Sequence, residues 1–363
     1  MAYLILLALG ALDAAGYSVI APVGPAIAER TGAGPGTIGA LTGSFAVGMA
    51  VGFWLGGAGL RRRGATTVLA CALVAVAAGC VGFVGFEGLA VWFPARVLMG
   101  LGSGGLWIGI VFATMERFPG EEYRRLTGVL GAYAVGTIAG PAFGAFGGVQ
   151  APFAAFLGAT LVVLIAVFAL PAPRSRPQFG SDRAALRSPG FLLASVSVFA
   201  VSAGVGVVDG PLPLHFAERL AQAQIAALYV GAALVLAGAT VLAGRLRPRP
   251  LVPLSALLLL AGIGTAGATG SVWAWVPALA VTAVGLGLGE AGALGVLLES
   301  VGAERIVLAM VVWSQMWSLG YLAGPAAGGG LAAGLGFGAL AIVPAAGALA
   351  VLAAGHRLSR PSR

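Results

Sequence analysis

Four ionisable side chains lie inside long apolar runs of this 363-residue chain: Asp13, Arg96, Asp209 and Glu290. A charge at the centre of a membrane-spanning helix costs roughly 2.5–3.5 kcal/mol on insertion scales. Such residues therefore pair with each other or line a path for protons and polar solutes. Their types fit proton exchange and the binding of a cationic or polar group. No nucleophile–base set and no metal-ligand spacing accompanies them, so no enzyme, metal or cofactor is expected. Cys71 and Cys80, nine residues apart on one helix, cannot bridge and read as small apolar side chains.

Helical periodicity tests whether these groups can converge. At about 100° per residue, Arg96, Ser103 and Trp107 fall on one face, within about 40° of each other. Asp13, Tyr17 and Ile20 share a face in the same way. Asp13 lies about 14 Å in from Pro22, and Arg96 about 11 Å in from the start of its own run. An arginine stem covers that difference, so an Asp13–Arg96 interaction is expected, either as a proton-exchanging pair or as a permanent structural one. Burial and a neighbouring cation act oppositely on a carboxylic acid, and an acid poised between them can exchange a proton. Glu290 has no partner in its own run and is expected to bind a proton or a cationic substrate. Asp209, followed by Pro211 and Pro213, is expected to face inward nearer the outer side. Tyr17, Ser103, Trp107, Tyr133, Gln315 and Trp317 supply the polar and aromatic lining for a substrate. Trp313, Trp317 and Tyr321 form a stripe that suits a neighbouring helix or lipid as well as a cavity. His215 and His356 are expected to be solvated.

The elements that must position these residues come as a duplication. GTIAGPAFG at Gly136–Gly144 recurs as GYLAGPAAG at Gly320–Gly328, an offset of 184 that matches Gly136, Gly140, Pro141 and Gly144 to Gly320, Gly324, Pro325 and Gly328. Trp92 and Pro94, with Gly102, Gly104 and Glu116, recur at an offset of 183 as Trp275, Pro277, Gly285, Gly287 and Glu299. Pro22 and the AER at 28–30 recur at an offset of 189 as Pro211 and the AER at 217–219. The repeat carries Trp107 onto Glu290, Arg96 onto Leu279, Asp13 onto Ser202, Ile20 onto Asp209 and Tyr133 onto Trp317. A duplicated membrane bundle implies alternating access between its halves.

Composition agrees. The chain is 59% hydrophobic and 9% charged, against about 25% charged in soluble domains. Runs of about 20 apolar residues mark twelve spans, near 2–24, 37–60, 66–86, 89–115, 126–148, 152–171, 190–212, 224–244, 251–269, 274–298, 306–329 and 334–354. The first run has no basic leader and is interrupted by Asp13, so it reads as a span rather than a cleaved signal. All 20 basic residues are Arg. With the N-terminus in the cytoplasm, 17 of them fall inside and only Arg30 and Arg219 outside, a positive-inside bias that supports an even number of spans. The net charge of +8 is therefore topological, and nucleic acid is not an expected partner. The GxGxxG strings at Gly100–Gly105 and Gly287–Gly292 lie within apolar spans, where small residues serve close helix packing rather than dinucleotide binding.

Ala95–Gly105, with Arg96 followed by Gly100, Gly102 and Gly104, resembles the fourth span of the major facilitator superfamily, in its drug:proton antiporter branch. Gly136, Gly140, Pro141 and Gly144 resemble that branch's fifth-span signature, with Ala145 in place of its last Gly. Asp13 with Pro22 and Pro25 resembles the first span of bacterial drug exporters and vesicular amine transporters. The loop after the second span departs from the family pattern: Arg61 stands where the family carries Asp, and Arg61, Arg62 and Arg63 are either solvated or paired with Glu116, Glu121 or Glu122. The resemblance covers the whole chain. It implies an all-α polytopic membrane protein of twelve transmembrane helices in two pseudo-symmetric six-helix bundles, the major facilitator fold. The bundles are expected at 1–172 and 190–363, joined by a cytoplasmic linker at 173–189. The implied function is proton-coupled export of a small apolar or amphiphilic compound, by a functional monomer in the cell membrane with both termini cytoplasmic. Inward solute:proton symport on the same fold, and a non-transporting membrane sensor or scaffold, are the alternatives.

Overall fold

A computed structural model describes residues 1–171, 186, 188–301 and 306–358, apart from the side chains of 122, 123, 127, 306, 307, 357 and 358. Most of the expected linker at 173–189, with Arg174, Arg176, Arg183 and Arg187, lies outside the described residues, as do Arg305, Arg360 and Arg363 and the side chains of Glu122 and Arg357. The described residues are helical, with no strand among them. In chain order the helices are α1 (Ala2–Ser18), α2 (Ile20–Thr31), α3 (Pro35–Arg63), α4 (Ala65–Gly85), α5 (Leu89–Arg117), α6 (Glu122–Gly144), α7 (Gln150–Val167), α8 (Pro189–Asp209), α9 (Leu212–Ala217), α10 (Gln222–Ala243), α11 (Pro248–Ala268), α12 (Val272–Ser300), α13 (Ile306–Leu335) and α14 (Ile342–Leu358), the last preceded by a 3-10 turn at Phe337–Ala341. α1 and α2 form one span, as do α8 and α9; among the described residues eleven stretches are long and apolar enough to cross a membrane, and the 30-residue α13 completes a set of twelve.

Several spans run past their expected ends. The first continues to Thr31, the seventh to Ala217 and the eleventh to Leu335. Gly and Pro end helices in water, but in lipid the backbone has no water to bond to and helix continues through them. The breaks that do occur follow proline chemistry. Pro22 lacks the N–H that would close a bond to Ser18, and α1 stops at Ser18. Pro211 and Pro213 likewise follow the end of α8 at Asp209. The turn from α3 to α4 is the single residue Gly64, whose φ of 80° favours glycine.

The contacts group the chain into two units, one comprising Met1–Ala33, Ser44–Gln178 and Leu220–Val230, the other Gly34–Gly43, Phe179–Arg219 and Gly231–Arg363. Within the first, α1 packs on α6 and α4 on α5; within the second, α8 packs on α13 and α11 on α12. Lipid is as apolar as leucine, so these pairs are held by close backbone approach rather than by exclusion of water. An added Cβ at Gly136 would lie 2.7 Å from Ala14 Cβ, at Gly140 2.7 Å from the Ala15 carbonyl oxygen, and at Gly144 2.8 Å from Pro22 Cβ, all on α1–α2. The repeat does the same on α8–α9: a Cβ at Gly320 would lie 3.1 Å from Ala203 N, at Gly324 2.7 Å from Ala203 Cα, and at Gly328 3.3 Å from Pro211 Cγ. Gly102 packs in the same way on Ala72 and Val76 of α4, and its repeat Gly285 on Ser255 and Leu259 of α11. Val162 and Ile165 of α7, Phe168 just past its end and Leu349 of α14 turn outward and suit lipid contact.

Candidate functional site

In the first unit, Gly136 and Gly140 bring α6 against α1, and Gly10 on α1 leaves room for the partner helix: a Cβ there would come 3.3 Å from the Tyr133 ring. The consequence is a hydrogen bond in which the Tyr133 hydroxyl donates to Asp13 Oδ2. Asp13 is buried, and its Oδ1 makes no hydrogen bond among the described residues. Ser103 on α5 borders the same carboxyl, and both line a small internal cavity with Leu12, Gly16, Phe45 and Leu106. Trp107, one turn beyond Ser103, stands edge-on to Tyr133 with ring centroids 5.5 Å apart. The structure thus brings Asp13, Ser103, Trp107 and Tyr133 together from three helices.

Arg96 takes different hydrogen-bond partners from the one its depth suggests. Its guanidinium donates to the carbonyls of Gly16 at 2.9 Å and Tyr17 at 2.8 Å, and its Cζ lies 4.4 Å above the Phe45 ring. The side chain is fully buried. These carbonyls lie at the end of α1, where the ladder breaks before Pro22, so the fork of donors supports the break. Of Tyr17, Arg96 engages the backbone carbonyl. The repeat position Leu279 is a buried apolar residue, so this brace belongs to the first half alone.

The second unit builds its polar groups elsewhere. Tyr321 of α13 donates to Asp209 Oδ2 at 3.1 Å, and both residues are buried. Glu290 on α12 is part-buried and has no hydrogen-bond or ion-pair partner among the described residues. Trp313 is buried against α8 and donates its indole N–H to the Ala194 carbonyl at 3.3 Å, while Trp317 packs at the edge of the same apolar cluster. That part of the stripe therefore serves helix packing. Gln315 is part-buried on α13. A second small cavity is lined by Val201, Leu259 and Gly289, the repeat positions of Leu12, Val76 and Leu106 in the first, and here Ser197 and Ser255 supply the polar atoms.

One surface expectation changes. His215 is buried rather than solvated: α9 folds it under Trp275 and Phe337, where its Nε2 meets the Thr269 carbonyl at 2.9 Å. Arg61, Arg62 and Arg63 are exposed, and Glu116 and Glu121 pair with arginines near them in the chain. Glu116 pairs with Arg117 at 3.3 Å, and Arg117 also reaches Thr66 and the Pro171 carbonyl. Glu121 accepts from Arg124 at 2.7 Å and Arg125 at 2.8 Å. Those hydrogen bonds hold the exposed Glu121 carboxyl below its ordinary range. The Asp13–Tyr133 pairing was hard to see in sequence because the residues stand 120 positions apart; the only signal was the glycine spacing that sets α6 on α1.

The Major Facilitator Superfamily model matches residues 6–246. No curated protein sequence matches the chain. Among solved structures, a bacterial homologue of the human lysosomal transporter Spinster, inward-facing and occupied, is 15% identical, covers 98% of this chain and 94% of its own, and superposes with a TM-score of 0.75. The xylose transporter XylE from E. coli, partially occluded and inward-open, is 18% identical over 96% of this chain and 95% of its own, also with a TM-score of 0.75. A D-xylose–proton symporter is 18% identical over 97% and 95%, with a TM-score of 0.71.

Proposed function

The chain belongs to the major facilitator superfamily and is a secondary transporter working by alternating access, and from that premise we propose that it couples proton entry to export of a small apolar or amphiphilic compound. The observation that carries this reading is the Asp13 carboxyl, buried in a spanning helix, bonded to Tyr133 and open on one side to a small cavity. An acid so placed can lose and regain a proton without unfolding its surroundings. Trp107 and Tyr133 give the neighbourhood an aromatic edge suited to an apolar substrate. Ser103 adds a polar contact beside Asp13, and in the second half Glu290 holds a proton or the cationic end of a substrate. Arg96 acts on the carbonyls beside Asp13 and sets the carboxyl's surroundings rather than touching the proton itself. Export is favoured by the antiporter-type spacing of Gly136, Gly140, Pro141 and Gly144. The protein works as a monomer in the cell membrane with both termini in the cytoplasm.

Inward symport is the second reading, since a D-xylose–proton symporter shares the fold. Inside-out vesicles carrying an imposed proton gradient separate the two. With a panel of amphiphilic fluorescent dyes, an exporter loads dye into the vesicle and dissipates the gradient as it does so. Loading that is indifferent to the gradient, or equal in wild type and Asp13→Asn, would refute the proton-coupled reading. Uptake confined to right-side-out vesicles would establish symport.

A further inference from the structure

Both units pair a carboxylic acid on their first span with a tyrosine on their fifth. Tyr133 of α6 donates to Asp13 of α1, and Tyr321 of α13 donates to Asp209 of α8 at 3.1 Å. The helices correspond under the repeat, but the residues do not. The repeat of Asp13 is Ser202 and that of Tyr133 is Trp317. The second pair stands about two turns further along α8 and one turn further along α13. Both members stand away from the repeat positions of the first pair, so the second contact is not a copy of the first.

Its surroundings are firm. Gly206 and Gly210 flank Asp209 by one turn and one residue, and both lie against Pro325, one turn beyond Tyr321: a Cβ on Gly206 would meet Pro325 Cγ at 3.1 Å, and one on Gly210 would meet Pro325 Cβ at 2.8 Å. Asp209 is 5% exposed and Tyr321 1%. A carboxylate in an apolar span is costly and its acid form is not. A phenol can donate to the anion, or accept from the acid, so the pair keeps its contact with or without the proton. Of the other charged or titratable groups, those whose side chains are described on elements packed near α8 are placed as follows. His215 of α9 turns to the Thr269 carbonyl and Glu218, Arg249 of α11 pairs with Glu299, and Glu290 and His356 belong to α12 and α14.

We propose that Asp209 and Tyr321 form a second proton-binding site, which loads and unloads separately from Asp13. It rests on the transporter reading and adds a second protonation to the cycle. Infrared difference spectra of the purified chain in detergent, titrated from neutral to acid pH without substrate, read protonated carboxyl groups directly. Asp209→Asn is expected to remove one titrating component and Asp13→Asn a different one. Tyr321→Phe, which keeps the ring in place, is expected to move the midpoint of the Asp209 component and leave the Asp13 component where it was. If Asp209→Asn left every component intact, the site would not exist. If Tyr321→Phe left the midpoint unmoved, the pair would not act as a unit and the proposal would fall. Loss of the Asp209 component supports the site even where no Asp13 component is found, an outcome that counts only against the proton role of Asp13.

Discussion

Asp13 and Tyr133 meet from positions 120 residues apart, and the proton-coupled proposal turns on that contact. A hydrogen bond to a charged group contributes about 1.5–3 kcal/mol. Tyr133→Phe should therefore move the midpoint of the pH profile of transport by about one to two units, measured as dye loading at a series of external pH values. Asp13→Asn should flatten the profile. Arg96 has a different task. Arg96→Leu, which copies the second half, strands the carbonyls of Gly16 and Tyr17 and should cost about 3 kcal/mol of stability, seen as a fall in the thermal midpoint in detergent. Arg96→Lys should recover little, because an ammonium cannot bridge two carbonyls and stack on Phe45 as the planar fork does.

At the scale of elements, the glycines of α6 and α13 act as spacers whose loss moves a whole helix. Leucine at Gly140 or Gly324 would drive its side chain into the backbone of α1 or α8. Overpacking of this kind costs about 1–3 kcal/mol or more, and it should also lengthen the tyrosine–carboxylate contact of the same unit. Gly131 is the internal control, because nothing lies within 4 Å of its added Cβ. Gly131→Ala should leave transport unchanged and raise stability by about 0.5–1 kcal/mol, since alanine loses less freedom in a helix. Thermal midpoints of the three variants, read beside their pH profiles, test both statements. A Gly140→Leu protein that kept the wild-type profile would show that helix spacing does not position Asp13.

For the whole molecule, charge and duplication set the behaviour. The arginines crowd the segments that an inside N-terminus places in the cytoplasm. A fluorescent reporter fused after Arg363 should therefore mature and be shielded from external protease in intact cells, and a reporter that is exposed would reverse the topology. Dissipating the proton gradient with an uncoupler should stop dye loading in inside-out vesicles energised by that gradient.

The sequence by itself determined the membrane class, the span number and the duplicated bundle, because apolar length and repeated small-residue motifs are local properties written along the chain. It also picked out Asp13, Arg96, Asp209 and Glu290, since a charge in an apolar run stands out without any structure. Helical phase brought Ser103 and Trp107 to the side of Arg96, and the structure places Ser103 beside Asp13 and Trp107 beside Tyr133. Partner choice was not legible. Depth along two helices allowed Arg96 to reach toward Asp13, but hydrogen bonding depends on which atoms face each other once helices cross. There the broken ladder at Gly16 and Tyr17 offers two aligned acceptors to the guanidinium. The same holds for Tyr321, which reads as one member of an aromatic stripe until α13 is laid against α8 and its hydroxyl meets Asp209. Periodicity gives the face of a helix; only packing at the distance of a missing Cβ decides which side chain the face meets.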